Sequence, residues 1–460
     1  MEDNKPGAGK GRSIRHEAAL AADEILRGEG YASLVIHRTL RRMDEQAPVE
    51  ERDRRFFTSL VYTVVKHRET IDERIGALSK TPISRIRPYV LACLRIGAAQ
   101  LMYMEGVRPY AAISESVELV KRSGMKGLAP YVNGVLRGIQ KMDPPADADE
   151  ADLPVWIKES LSEDYGEDKL RQLLETMDTV RPLCLRLNLT RGSRQEMPEK
   201  LKRQLEEQTG RPALLMEGAI CPEAVYVHHP GDISRLEMFQ KGEISVQDES
   251  SMAAVLALDP QKGEKVLDLC GAPGGKSCFC AERMENEGYI SCRDIHPHRV
   301  DLIRQNAERL GLTILHPGEG DALKPCPEDA EAFDRVLLDA PCSGLGILRS
   351  KRDIAEHRSA SDVEELSALQ ETMLETAAAA LKPGGRLVYS TCTLTKKEND
   401  LQVEAFLAKH PEFELLDIGN LFRKCDPEEV TLRQTATLWP VNEGHDGFFV
   451  AAMEKKPRQI

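Results

Sequence analysis

No stretch of this sequence is apolar for long enough to span a membrane. The N-terminus, MEDNKPGAGKGRSIR, has basic residues but no apolar segment behind them, which excludes a secretory signal and reads as a short disordered tail over residues 1–11. A surplus of positive charge is also missing. The formal net charge is -13, which argues against a surface coated throughout to bind nucleic acid. The eleven cysteines include no C-x-x-C and no Cys/His quartet at ligand spacing, so no metal is expected. They are scattered through apolar segments rather than spaced as a disulfide framework, which points to a reduced, cytoplasmic compartment.

What is there begins with length. A chain of 460 residues is too long for one ordinary core, and two or three domains are expected. Residues 12–143 carry apolar positions at helical spacing, as in Ala18, Ala19, Ala22, Ile25 and Leu26 and again in Phe56, Phe57, Leu60, Val61, Val64 and Val65. Breaks at Gly28, Pro48, Pro82, Pro109 and Gly124 divide this region into a bundle of about six or seven helices. Residues 1–143 hold 24 Lys and Arg against 18 Asp and Glu, so the acidic surplus lies entirely in the rest of the chain. That asymmetry permits a basic module that contacts an anionic polymer, although a modest excess is also what a solvated face carries. An acidic, proline-containing linker, Pro144 to Asp149, opens a connector over residues 144–245 that mixes helices and short strands, an α+β module. From residue 246 to 456 strands and helices alternate. Strands are expected at 265–269, 288–294, 312–316, 335–339 and 386–390, with helices at 276–283, 299–310 and 362–380 between them. This is the pattern of an open, mostly parallel, doubly wound sheet, in which ligands bind at the carboxyl ends of the strands.

Every chemically distinctive segment falls at such an end. The first strand runs into Cys270-Gly271-Ala272-Pro273-Gly274-Gly275-Lys276. Its glycines let the backbone turn tightly and approach a ligand, and the helix that follows offers free N–H groups. A dinucleotide fingerprint is absent. Gly275-Lys276-Ser277 supplies the tail of a phosphate-binding P-loop, but Cys270 stands where its leading glycine belongs. S-adenosylmethionine, whose amino-acid end needs close backbone rather than a phosphate nest, is the third candidate, and a tight turn with no ligand is the fourth. Asp294, at the end of the second strand, can accept the two ribose hydroxyls of a nucleoside, and Asp321, after the third, can accept from an adenine amino group. Either alone could equally be a helix cap. Cys342, in Asp339-Ala340-Pro341-Cys342-Ser343-Gly344, and Cys392, in Ser390-Thr391-Cys392-Thr393, sit at two further strand ends. A single cysteine there is commonly a small buried hydrophobe. Two facing one cofactor loop suggest a nucleophilic thiolate with a helper, and the spacing does not say which is which.

These segments together resemble the RNA cytosine-5 methyltransferases of the RsmB/Nop2/Sun superfamily. Gln247 to Ser251 is similar to the family's segment before the first strand, 270–276 to its cofactor motif, the two cysteine segments to its catalytic motifs, and His445 to Phe449 to its closing strand. Residues 12–143, with Asn133-Gly134-Val135-Leu136-Arg137, resemble a NusB-like RNA-binding domain, a fusion that points to the bacterial small-subunit branch. The resemblance implies three parts: an all-α NusB-like bundle, an α+β connector and a Rossmann-like class I methyltransferase domain. It implies S-adenosylmethionine as cofactor, C5 of a cytosine in 16S rRNA as target, no membrane and a monomer. It gives Cys392 as nucleophile, Cys342 as the residue that assists release, and Asp339 as a contact to base or cofactor. Gly271 departs from relatives that often have alanine there, a change expected to leave binding undisturbed. The same chemistry on tRNA or 23S rRNA is the nearer alternative, and a non-catalytic RNA-binding protein the more distant one, against which the cysteine pair argues.

Overall fold

The computed structural model describes residues 13–143, 153–177, 179, 181–441 and 444–458, so the expected tail at 1–11 and the Pro144–Asp149 linker lie outside the described residues. The chain divides into two compact units, the first comprising residues 1–158 with 351–358 and the second the remainder.

Within the first unit seven helices, Ile14–Leu26, Ala32–Gln46, Glu51–Lys66, Arg68–Leu78, Pro88–Met102, Pro109–Arg122 and Ala129–Ile139, surround one apolar core. The helix Pro88–Met102 is buried along most of its length, from Val90 to Gln100, and forms the axis of the bundle. Its spacing is helical but its surface is apolar all round, as a central helix must be. The short segment 351–358, far along the chain, belongs to this unit. Asp353 accepts the backbone N–H of Ala32 at 2.7 Å, and Arg68 pairs with Glu356 at 2.9 Å. The helix Ala32–Gln46 has no capping side chain of its own, since Tyr31 occupies its cap position. Asp353 supplies the acceptor that a local Ser or Asp would ordinarily provide.

The second unit contains two sheets. Strands β1 (Leu183–Leu187), β2 (Leu215–Glu217), β3 (Ala224–Val227) and β4 (Ile244–Val246) pair antiparallel in the order β2-β3-β1-β4. The larger sheet holds β5 (Lys265–Asp268), β6 (Tyr289–Asp294), β7 (Leu315–Glu319), β8 (Phe333–Asp339), β9 (Leu381–Thr391), β10 (Phe413–Leu415), β11 (Val430–Leu432), β12 (Ala436–Leu438) and β13 (Phe448–Lys455). Its order is β11-β12-β13-β9-β8-β5-β6-β7, with β10 on β13. Strands β5 to β9 run parallel, and β13 closes antiparallel against β9. Side chains alternate between two cores. Val266 and Val388 face the cluster around Phe279 and Ile303, whereas Leu267, Leu387 and Tyr389 face the one around Leu374 and Phe406. Burial on both faces is what a doubly wound sheet requires.

The third strand differs from its expected position, 312–316, and begins at Leu315. Gly311 ends the preceding helix in the left-handed region at φ 68°, and the N–H of Leu312 turns back to Ala307 at 2.9 Å. Leu312 and Ile314 are therefore buried as a loop packed on the core. The strand proper contains Pro317 and Gly318, a composition tolerated because β7 is the sheet's edge.

Candidate active site

The parallel strands deliver their last residues to one crest. The loop after β5 begins the helix Gly275–Arg283, whose first turn is fixed from behind by Arg186 of β1. The Arg186 guanidinium is buried, holds Glu282 at 2.7 and 2.9 Å, donates to the carbonyl of Gly275 at 3.1 Å and binds Gln247. A buried Arg–carboxylate fork of this kind fixes geometry more than it adds stability. Gly271 lies so close to β6 that a Cβ there would meet the Cys292 sulfur at 2.2 Å and Asp268 Oδ2 at 2.9 Å.

The 270–276 loop is joined to the β6 end, and the β6 end to the residue after β7, by backbone bonds. Gly271 N–H reaches Arg293 O at 2.7 Å, and Gly320 N–H reaches Asp294 O at 3.1 Å. Asp294 is 4% exposed, accepts from the N–H of His296 at 3.0 Å and lies 3.3 Å from Arg299. Asp321 follows Gly320, caps the N–H of Leu323 at 3.0 Å and pairs with Lys324 at 2.9 Å. Ala272 is half-buried against the core and Pro273 is exposed, its carbonyl accepting from Asn306 at 2.9 Å. Burial pushes the Cys270 thiol up, so it packs rather than reacts.

The residues present fit a nucleoside with a charged amino-acid end. Buried Asp268 has one carboxylate oxygen bound to Ser277 at 2.6 Å and the other without a hydrogen-bond partner among the described residues. Burial, joined by the charge of Asp339, raises Asp268 to about 6 against the opposing pull of Ser277 and Lys276. Aspartates at the tips of β5 and β6, a glycine turn and a helix start offer acceptors for an ammonium and for ribose hydroxyls and donors for a carboxylate.

The two cysteines meet. Cys342 Sγ and Cys392 Sγ are 3.3 Å apart and both half-buried. The ladder between β8 and β9 ends with Ala340 N–H on Ser390 O at 2.9 Å; Pro341 cannot extend it, and the chain turns outward with Cys342. On the other side Gly346 donates to Cys392 O at 3.0 Å and accepts from Gly447 at 2.8 Å. A Cβ on Gly346 would lie 2.5 Å from Gly447 O and 2.8 Å from Cys392 O, so glycine is required for the two loops to touch. Asp339 stands between Lys276 Nζ at 2.6 Å and Ser390 Oγ at 2.8 Å. Lys276 also lies over the Phe448 ring, 5.4 Å from its centroid. Burial acts to lower the Lys276 ammonium and Asp339 overcomes it, so it stays above the ordinary lysine value.

Thus Cys342, Cys392, Asp339 and Lys276 form one cluster, and Asp294 and Asp321 flank the same crest. Sequence reasoning passed over Asp268, Ser277, Ser390 and Glu398. Asp268 ends an apolar strand just as Asp294 does, and that position was the available signal. Among the described residues no His, Cys, Asp and Glu cluster is arranged to hold a metal, and no helix is long and apolar enough to cross a membrane.

Comparison with known proteins agrees with this layout. The family described as 16S rRNA methyltransferase RsmB/F matches residues 255–454, the NusB family 12–141 and the RsmF/B-like ferredoxin-like domain 153–234. Among solved structures, PH0851 superposes with a TM-score of 0.79 at 26% identity, over 97% of this chain and 99% of that one. A methyltransferase homolog from Pyrococcus horikoshii does so at 0.54 and 30%, over 65% of this chain and 93% of its own. The fold is an all-α NusB domain, a small connector and a Rossmann-like methyltransferase domain. Ribosomal RNA small subunit methyltransferase B of Escherichia coli is 32% identical over 97% of this chain and all of its own length. The probable enzyme of that name from Bacillus subtilis is 35% identical over 97% of this chain and 100% of its own, and the chain belongs to this family of RsmB/F-type ribosomal RNA methyltransferases.

Proposed function

We propose that this protein methylates C5 of one cytosine in 16S rRNA, in the cytoplasm, through a covalent bond between Cys392 and C6 of the base. The observation that carries the reading is the thiol pair, 3.3 Å apart, beside the Asp339–Lys276 pair at the end of a cofactor-type loop. The relatives' names supply the small-subunit rRNA part.

C5 of cytosine is a weak nucleophile within an aromatic ring. Addition of the Cys392 thiolate to C6 forms an S–C bond, and the displaced ring electrons make C5 enamine-like. S-adenosylmethionine, when bound, supplies an electrophilic methyl on a sulfonium, which C5 takes as the electron pair of the S–CH3 bond returns to sulfur. Removal of the C5 proton and expulsion of the thiolate then restore the ring, the stage at which Cys342 acts. Asp339 offers an acceptor to the exocyclic amine and to a protonated N3, where charge changes during addition. The 270–276 loop would hold the cofactor's amino-acid end, Asp294 its ribose and Asp321 its adenine. The target base must leave any stack to reach this pocket.

The test uses 16S rRNA, tRNA and 23S rRNA transcripts with labelled S-adenosylmethionine, followed by bisulfite mapping and a denaturing gel. C392A forms neither 5-methylcytosine nor a shifted protein–RNA band. C342A transfers once and remains bonded to the RNA, giving a shifted band. The opposite pattern exchanges the two roles, and full activity in both variants rules out thiol catalysis.

A further inference from the structure

Glu398 is fully buried, yet no Lys or Arg pairs with it among the described residues. Its carboxylate is held instead by neutral donors. Oε1 accepts from Ser343 N–H at 2.8 Å and Gln370 Nε2 at 3.0 Å; Oε2 accepts from Ser343 Oγ at 2.5 Å and Thr395 Oγ1 at 2.8 Å. Ser343 follows Cys342. Its hydroxyl also meets Thr393, which follows Cys392, at 2.7 Å. Gln370 reaches Pro341 O at 2.9 Å, and Tyr389 donates to Glu398 O at 2.6 Å. One carboxylate therefore grips the Cys342 loop through Ser343 and the Cys392 loop through Thr395, and the Ser343 hydroxyl bridges to Thr393 as well.

Four hydrogen bonds satisfy the lone pairs of a carboxylate but leave its net charge in place. That charge lies one residue from Cys342. The Lys276 ammonium lies on the other side, within reach of Cys392. We propose that Glu398 is a positioning residue whose charge keeps the shared proton on Cys342 and so leaves Cys392 as the nucleophilic thiolate. Groups facing the pair include Lys276 from the helix Gly275–Arg283, Asp339 from the β8 end, Tyr389 from β9 and Glu398 itself. Cys342 is held well above an ordinary thiol by its hydrogen bond to Cys392, by burial and the Cys392 charge, and then by Glu398 and Asp339. Lys276 faces Cys392, whereas Glu398 and Asp339 both act to raise Cys342, so loss of the Glu398 charge narrows the difference between the thiols. Its consequence for methylation rests on the reaction proposed above. The asymmetry itself does not, and it is measured without RNA.

The experiment is alkylation of the intact protein by iodoacetamide across pH, with each cysteine followed by peptide mass spectrometry and folding checked by S-adenosylhomocysteine binding. In the wild type Cys392 reacts at least about tenfold faster than Cys342 near neutral pH and gains reactivity at lower pH, as a lower thiolate pKa dictates. E398Q keeps the shape and removes the charge, so Cys342 accelerates and the ratio falls toward one. S343A loosens the clamp but keeps the charge, so the ratio holds or rises. A ratio unchanged in folded E398Q overturns the proposal, as does a wild type in which Cys342 is the faster thiol. A fall in S343A means that the clamp, not the charge, sets the difference, and this variant decides the matter if E398Q does not fold. Loss of methylation with the thiol ratio intact counts against the reaction and not against this asymmetry.

Discussion

At the scale of single residues, Gly271 shows how one small position depends on another. The family resemblance suggests that alanine would be tolerated there, but in this chain the Cys292 sulfur fills the space at 2.2 Å from where the Cβ would stand. Cys292 is fully buried and cannot swing aside without disturbing the core. Gly271→Ala should therefore destabilise by about 1–3 kcal/mol, the usual range for overpacking, and weaken S-adenosylhomocysteine binding because the loop must move. Adding Cys292→Ala should recover most of the loss. Thermal unfolding and calorimetry of the single and double variants measure both, and equal losses in the two variants would refute the steric account. The contrast illustrates what a sequence reveals at this scale. Cys342, Cys392, Asp339 and the 270–276 loop were legible because strand ends and glycines mark them. Glu398 and Ser277 were not, since a buried polar residue on a loop or helix carries no periodic signature and acquires meaning only from what packs against it.

At the scale of elements, the parallel strands and the bundle helices follow from periodicity, and the errors lie where one element answers to another. The edge strand β7 starts at Leu315 because packing, rather than pattern, uses Leu312 and Ile314. The helix Ala32–Gln46 is capped by Asp353 from a distant segment, a partner that no local window could supply. His67, between the helices Glu51–Lys66 and Arg68–Leu78, is 3% exposed and stacked on Tyr103 with ring centres 3.7 Å apart. Burial, then the charges of Lys66 and Arg352, lowers it from 6.5 to about 3. Its folded value lies below its unfolded one, so the unfolded chain takes up the proton first. The stability it contributes is complete above about pH 6.5 and is lost as pH falls toward 3, at up to about 1.4 kcal/mol per pH unit. Glu356, raised by burial, acts in the opposite sense, so the informative quantity is a difference. Between pH 7 and pH 5 the wild type should lose more of its melting temperature than H67F, in which a ring still stacks on Tyr103. Parallel curves for the two proteins would assign the acid sensitivity elsewhere.

At the scale of the whole molecule, charge is divided unevenly, and the basic excess lies in the NusB-family unit. The helices Pro88–Met102 and Pro109–Arg122 are joined by a short loop and packed side by side, so the start of the first lies by the end of the second. Arg85 and Arg87 precede the first helix, and Lys126 follows the second; all three are exposed, with no carboxylate partner among the described residues. If this unit anchors rRNA, these side chains are suited to phosphates, and binding should weaken steeply with salt through counterion release. Deleting residues 1–143 would be a poor test, because segment 351–358 belongs to the same unit and would lose its packing. The triple variant R85A/R87A/K126A leaves the core untouched. Its RNA KM should rise about tenfold or more, its salt slope should fall by about 0.7–0.9 for each phosphate no longer neutralised, and kcat at saturating RNA should stay close to wild type, since uniform binding alone is removed. Filter binding at several salt concentrations, beside steady-state methylation, separates the two quantities. An unchanged KM and slope would leave this end of the bundle without a role in holding RNA, and a fall in kcat alone would place its influence on the reaction rather than on binding.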